Sequence, residues 1–119
     1  MAARVIHFGW DDCYRLAVLQ RAGYHVIEAG CIAELQSELR SARYDAIVLS
    51  EDQDMEVAAV LDVVRRATRA PVILFRRTFR PMEARRIDLV VEYQVLPRDW
   101  LRCMAVAILR HRLLPNGAD

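Results

Sequence analysis

The sequence contains no lysine. All 17 of its basic side chains other than the three histidines are arginines, and 16 acidic side chains leave a formal net charge of +1. A mechanism that needs a lysine ammonium is therefore excluded, and the balanced charge gives no overall field that would attract nucleic acid or an anionic membrane. Glycine is also scarce, with four residues in 119, and there is no glycine-rich phosphate-binding loop.

Cysteines and long apolar runs are equally limited. Cys13, Cys31 and Cys103 lie far apart, and their spacing matches no metal-binding motif. They predict free, buried thiols in a reducing compartment. No apolar run approaches the roughly 18 residues that span a membrane, and the first residues lack the pattern of a signal peptide. We therefore expect a cytoplasmic protein that does not bind a membrane.

The sequence does contain a regular alternation of apolar runs and helical periodicities. Strands are predicted at 5–8, 24–29, 45–50, 71–75 and 89–95, and helices at 12–22, 32–41, 55–69, 81–87 and 98–113. The run at 45–50 is apolar on both faces, which is typical of a central parallel strand. This order predicts an α/β fold of the flavodoxin-like (βα)5 type, a three-layer sandwich around a parallel five-stranded sheet of order 2-1-3-4-5. Residues 1–114 are expected to form one domain and 115–119 a flexible tail.

Four segments carry a resemblance to a known family. AGYHVIEA, YDAIVLS, APVILF and EYQVLP have the shapes of the receiver segments GYxVxxA, xDLVLLD, xPVIxLT and DYLxKP. Over roughly residues 4–112 the sequence resembles the CheY-like receiver domain of two-component response regulators. The resemblance implies a site at the carboxyl ends of the strands, where an acid pair binds magnesium and an aspartate accepts a phosphoryl group. A lysine and a switch hydroxyl complete that site.

The chain keeps little of this chemistry when the positions are matched. Ser50 replaces the phosphate-accepting aspartate, Arg76 the switch hydroxyl and Leu96 the lysine, while Tyr93 matches the switch aromatic. A serine offers no carboxylate and needs a neighbouring base for activation, and leucine supplies no cation. We therefore interpret the site as a degenerate phosphorylation pocket without catalytic residues. Trp10 or Leu96 is expected to fill part of it.

The acids near this pocket allow more than one interpretation. Asp11 and Asp12 match the acid pair, although two residues separate them from the first strand, and Asp12 is also expected to cap the first helix. Together with Asp52 they are weak candidates for a divalent cation. We favour instead a salt bridge from Arg76 that neutralises them. Glu51 and Asp52 are further candidates for a displaced phosphate acceptor.

The resemblance also implies how the chain acts. We expect a stand-alone pseudo-receiver, a protein-interaction module of bacterial signal transduction that is not phosphorylated, needs no cofactor and is not an enzyme. Its partner would be a sensor kinase or another regulator, and no helix-turn-helix pattern favours direct DNA binding. A homodimer is expected through the face formed by the fourth helix, the fifth strand and the last helix. Its switch and interface residues would be Arg85, Arg86, Ile87, Val91 and Tyr93.

Two other functions stay open. An atypical receiver could still be phosphorylated or bind a metal through the acids near Ser50. A flavodoxin-like domain could bind a small ligand or nucleotide at the carboxyl edge of its sheet. The arginine-rich segment 65–86 is either a recognition patch for acidic groups or a solvated surface.

Overall fold

Five parallel strands form a single sheet in the computed structural model, which describes residues 2–11, 14–78, 80–82, 84–92 and 94–114. The strands are β1 (Arg4–Gly9), β2 (His25–Ala29), β3 (Ala46–Ser50), β4 (Val72–Phe75) and β5 (Leu89–Val91). Their order is β2-β1-β3-β4-β5, which confirms the predicted topology. The central strands β3 and β4 carry the longest apolar runs because both of their faces are covered.

Four α-helices and one 3-10 turn connect the strands within the described chain. The helices are α1 (Arg15–Arg21), α2 (Ile32–Ser41), α3 (Val57–Ala67) and α4 (Pro97–Leu113), and the turn is Ala84–Arg86. The helix predicted at 81–87 was therefore wrong in type. Glu51 holds the backbone N–H groups of Arg77 and Thr78, and that of Asp88 donates to the carbonyl of Val72, so the segment between β4 and β5 is a loop with a single 3-10 turn. The fifth strand was predicted too long, since Val95 donates to Glu92 in a turn.

Two apolar layers cover the two faces of the sheet. One face packs against α2 and α3 through Leu35, Leu39, Val60, Leu61 and Val64. The other packs against α1 and α4 through Leu19, Trp100, Met104 and Ile108. Consecutive strand residues point to opposite faces, so each strand supplies side chains to both layers. This three-layer arrangement is the one expected from the sequence.

Two expectations about individual side chains were wrong. Cys31 and Cys103 are exposed free thiols, because one precedes α2 at its N-cap and the other lies on the outer side of α4. Leu109 of α4 is also on the surface, 56% exposed. Cys13 lies outside the described residues. Among the described helices, none is both long enough and apolar enough to cross a membrane.

Candidate functional site

The carboxyl ends of β1, β3 and β4 meet at Ser50. Ser50 pairs with Gly9 on one side and Phe75 on the other, and its side chain is 0% exposed. The backbone of β1 comes so close that a Cβ added to Gly9 would lie 2.0 Å from the carbonyl oxygen of Ser50. Gly9 also has a φ of +117°, a conformation that favours glycine. Glycine at this position therefore allows the chain to turn away from the sheet directly above Ser50.

The hydroxyl of Ser50 is bonded to a buried histidine. Nε2 of His7 lies 2.7 Å from Oγ of Ser50, and both side chains are 0% exposed. Burial lowers the pKa of His7 to about 4, so the ring is neutral at physiological pH. Nδ1 of His7 has no hydrogen-bond partner within the described structure. The pair has the composition of a serine activated by a base, but a substrate has no path to the buried hydroxyl.

A buried arginine lies beside this pair, and the sequence patterns did not reveal it. Arg15 is 6% exposed, and its guanidinium carbon lies 4.4 Å from the centre of the Phe75 ring. Phe75 in turn packs edge-on against Trp100, with ring centres 4.9 Å apart. The (i, i+4) spacing of Arg15 and Leu19 was the available signal. A cation at a core position is rare, so this spacing does not by itself predict a buried arginine.

Asp11 shapes the start of α1. One of its carboxylate oxygens accepts the backbone N–H of Arg15 at 2.6 Å, and the other accepts that of Leu16 at 3.3 Å. These bonds satisfy two of the N–H groups that the first turn of a helix leaves free. The helix begins at Arg15 after Tyr14, which has a φ of 56°, and not at Asp12 as predicted. Asp12 lies outside the described residues.

Glu51, and not Arg76, organises the loop after β4. Oε1 of Glu51 accepts the backbone N–H groups of Arg77 and Thr78, and Oε2 accepts the Thr78 hydroxyl, each at 2.9 Å. Although burial alone would raise the pKa of Glu51, these bonds and the charge of Arg76 hold it below its ordinary value. Glu51 is 5% exposed, so its carboxylate is a buried acceptor that holds this loop.

The predicted salt bridge from Arg76 does not form among the described residues. Its guanidinium donates to the backbone carbonyl of Arg80, because the chain turns back after β4 and brings that carbonyl to the side chain. Asp52 accepts the backbone N–H of Asp54 at 2.8 Å. Arg76 therefore bonds within the loop after β4, and Asp52 bonds within the loop after β3.

The described side chains do not fit the magnesium ion that the resemblance implies. Both carboxylate oxygens of Asp11 accept helix N–H groups, and the hydroxyl of Ser50 is bonded to His7. Throughout the described ranges, no three His, Cys, Asp or Glu side chains come together as a metal-binding group. We derive no chemical step through a metal ion.

The two apolar candidates for filling the pocket are on the surface. Trp10 is 58% exposed and Leu96 is 54% exposed, so the expectation that either fills the phosphate space was wrong. The space near Ser50 is instead occupied by His7. Leu96 precedes the first helical residue of α4, and the turn after β5 directs it outward.

Two of the predicted interface residues are buried, and two are not. Ile87 is 9% and Val91 3% exposed, and both belong to the core layers, which corrects their assignment to a partner surface. Arg85 is exposed, whereas Arg86 pairs with Asp62 across the surface of α3. Tyr93 lies outside the described residues.

Solved structures of receiver domains share this fold. A CheY-like receiver domain protein from Methanospirillum hungatei JF-1 is 17% identical, with a TM-score of 0.72, and the match covers 92% of this chain and 96% of that one. A two-component response regulator from Clostridium difficile is 19% identical, with a TM-score of 0.72 and coverage of 94% and 99%. The receiver domain of a sensor histidine kinase from Pseudomonas aeruginosa PAO1, which holds a magnesium ion in its active-site cleft, is 14% identical, with a TM-score of 0.72 and coverage of 91% and 98%.

These matches define the class of fold. The chain has the flavodoxin-like α/β fold of CheY-like response-regulator receiver domains. No protein-family model and no curated protein sequence matches it. The likeness therefore rests on the course of the backbone, and the chemistry must be argued from the side chains of this chain.

Proposed function

We propose that this domain is a pseudo-receiver of bacterial signal transduction, which acts by binding other proteins and is not phosphorylated. The observation that supports this most directly is the complete burial of Ser50, with its hydroxyl bonded to His7. A phosphoryl group would have to replace that hydrogen bond and bring at least one negative charge into the apolar layer beside β3, at a large free-energy cost.

The other parts of a phosphoryl-transfer site are also missing from the described positions. Leu96 provides no cation to stabilise the charge of a transferred phosphoryl group. Glu51 uses both carboxylate oxygens to hold Arg77 and Thr78, so its use as a displaced acceptor would break the loop after β4. We propose no catalytic role for this edge of the sheet.

A phosphodonor assay tests this part of the proposal. The domain is incubated with acetyl phosphate, and separately with beryllofluoride, and intact mass and melting temperature are then measured. We expect no covalent adduct and no melting shift, while a catalytically competent receiver reacts in the same assay. Ser50→Ala and Asp52→Asn are the matched variants. A stable adduct that disappears in either one would contradict the proposal.

The outer side of α4 supports the binding role. Val106, Leu109 and Leu113 are 43%, 56% and 71% exposed, and their spacing places them in one stripe along the helix. The opposite side of α4 is the one packed on the sheet. A helix that is apolar on two sides exposes a surface typical of an interface.

We propose that a second copy of this chain covers this stripe in a two-fold symmetric dimer, since such an interface requires only one self-complementary surface. This keeps the predicted last-helix interface but moves it away from Ile87 and Val91. Light scattering of Leu109→Arg should show a monomer where the unmodified protein is a dimer. Ala33→Arg, an equivalent change on the exposed side of α2, should leave the dimer intact. A monomeric unmodified protein at high micromolar concentration would refute the dimer.

A further inference from the structure

A cleft of about 540 Å³ opens on the α2 and α3 side of the sheet's carboxyl edge. It lies on the other face of the sheet from the side chains of His7 and Ser50. Its volume is within the range of small-molecule sites, roughly 300–1,000 Å³. The apolar side chains that line it are Phe8, Trp10, Ala29, Ile32, Met55 and Val60.

The acidic side chains at this cleft come from the loop before α3. Asp52, Asp54 and Glu56 are among its lining residues, and no arginine or histidine is among the described ones. This is unusual in a chain with 17 arginines. Glu28 also lines the cleft, but it pairs with His7 in the sheet, so its side chain points to the other face.

Arg80 lies next to the loop and donates to the backbone carbonyls of Gln53 and Met55. Three acids elsewhere on the surface are paired with arginines, in Asp45–Arg112, Asp62–Arg86 and Asp88–Arg65.

Two of these carboxylates are fully available to a ligand. Asp54 and Glu56 are exposed, and in the described part of the chain their side chains form no ion pair. Asp52 accepts a backbone N–H through Oδ1 only, which leaves its second oxygen accessible. The acidic groups are therefore not needed to hold the fold together.

An exposed indole completes the cleft. Trp10 is 58% exposed, directly after the turn at Gly9, and it contributes an aromatic surface to the same walls. The face of an indole attracts organic cations, and the attraction adds to that of nearby carboxylates. A carboxylate or phosphate ligand would instead meet only like charge here.

We propose that this cleft binds a small organic cation, an amine carried on an aromatic or branched apolar body. The apolar side chains of the cleft contact the apolar body of the ligand, and the carboxylates and the indole contact its charged amine. A bare metal ion would make no use of the apolar floor, and a nucleotide or flavin phosphate would be repelled. This inference does not depend on the proposed function. It adds a small-molecule ligand to the proposed binding of other proteins.

Tryptophan fluorescence provides a direct test because the two tryptophans differ in location. Trp10 lines the cleft, whereas Trp100 is 4% exposed in the opposite layer. Titration with phenethylamine should change the Trp10 emission until it saturates. 2-Phenylethanol and 3-phenylpropionate, which share its aromatic body, should bind at least about tenfold more weakly. In Trp10→Phe the emission change should be lost.

Two pairs of variants locate the site. Ala59→Arg places a cation in the cleft and should abolish binding, whereas Ala67→Arg, farther along α3, should not. Combining Asp54→Asn and Glu56→Gln should weaken binding about tenfold, whereas Glu92→Gln, which removes an exposed acid elsewhere, should have no effect.

Three results would overturn the inference. They are the absence of a saturable change with phenethylamine, binding of the alcohol as tight as that of the amine, and unchanged binding in Ala59→Arg. None of them bears on the phosphodonor assay or on the dimer, so a failure here leaves those proposals to their own tests.

Discussion

The two sides of the sheet's carboxyl edge are built in opposite ways. On the α1 and α4 side, His7 and Ser50 are 0% exposed and bonded to each other, and Arg15 lies over Phe75. On the α2 and α3 side, the edge is an open cleft with unpaired carboxylates and an exposed Trp10. Ser50, which the sequence resemblance matches to the phosphate-accepting position of receivers, lies in the core, while accessible charge is found across the sheet.

This difference follows from the alternation of side chains along β1 and β3. His7 points to the closed side and Phe8 to the open side, and Ser50 and Leu49 divide in the same way. Substitutions on the closed side should therefore change the free energy of unfolding, and substitutions on the open side should change binding. The predictions below test this division, from the largest effect on stability to the smallest.

Glu51→Ala should have the largest effect. The change leaves the backbone N–H groups of Arg77 and Thr78 without their acceptor and removes a buried, charge-assisted set of hydrogen bonds. We expect the free energy of unfolding to fall by about 3–4 kcal/mol, measured by urea denaturation. Glu56→Ala, an exposed acid on the open side, is the control and should change it by less than about 0.5 kcal/mol. Equal effects of the two changes would mean that the hydrogen bonds of Glu51 do not stabilise the loop after β4.

Acidification should destabilise the closed side through His7. The pKa of His7 falls from 6.5 in the unfolded chain to about 4 in the folded protein, so the unfolded state binds the proton more tightly. The stabilisation is complete above pH 6.5, declines as the pH falls from 6.5 to 4, and then levels off for this group. The shift corresponds to about 3 kcal/mol.

Urea denaturation at a series of pH values measures this effect, and His7→Gln is the matched variant. The variant has no titrating ring, so its stability should be nearly flat between pH 6.5 and about 4.5. Glu51 also loses stabilisation on acidification because its folded pKa is lowered, but it does so only as the pH falls below its ordinary value of 4.5. A variant that keeps the full slope above pH 5 would show that His7 is not its source.

Ser50→Ala should have a smaller effect on the same pair. It leaves Nε2 of His7 buried without its partner, which should cost about 1–2 kcal/mol. Combining it with His7→Leu removes both polar groups, so the loss in the double variant should be smaller than the sum of the two single losses. A strictly additive result in this double-mutant cycle would mean that the hydroxyl and the ring are not coupled in the folded state.

The fold was predictable because its signals are local and repeated. The uniformly apolar runs of β3 and β4 and the 3.6-residue periodicity of α2 and α3 gave the element order, and the bounds of α2 were predicted to the residue. The fifth strand was predicted too long because pairing with a strand that is distant in sequence decides where it ends. β5 stops at Val91 because its neighbour β4 ends at Phe75.

The candidate site was less predictable because its contacts depend on register. His7 and Ser50 are 43 residues apart, and they meet only because Gly9 pairs with Ser50 across β1 and β3. A shift of one residue would place His7 on the other face, and apolar runs do not specify the register that closely. Glu51 was misjudged for a related reason, since its partners Arg77 and Thr78 follow a different strand.

The open side should tolerate the same kinds of substitution with almost no loss of stability. Combining Asp54→Asn and Glu56→Gln removes two exposed, unpaired carboxylates from one cleft. The change in the free energy of unfolding should stay within about 0.5 kcal/mol. Because the removed charges repel one another and salt screens repulsion, added sodium chloride should stabilise the unmodified protein more than the variant. A loss above about 1 kcal/mol would show that these acids support the fold. They would then not be available to a ligand, and the two sides of the sheet edge would not differ in this respect.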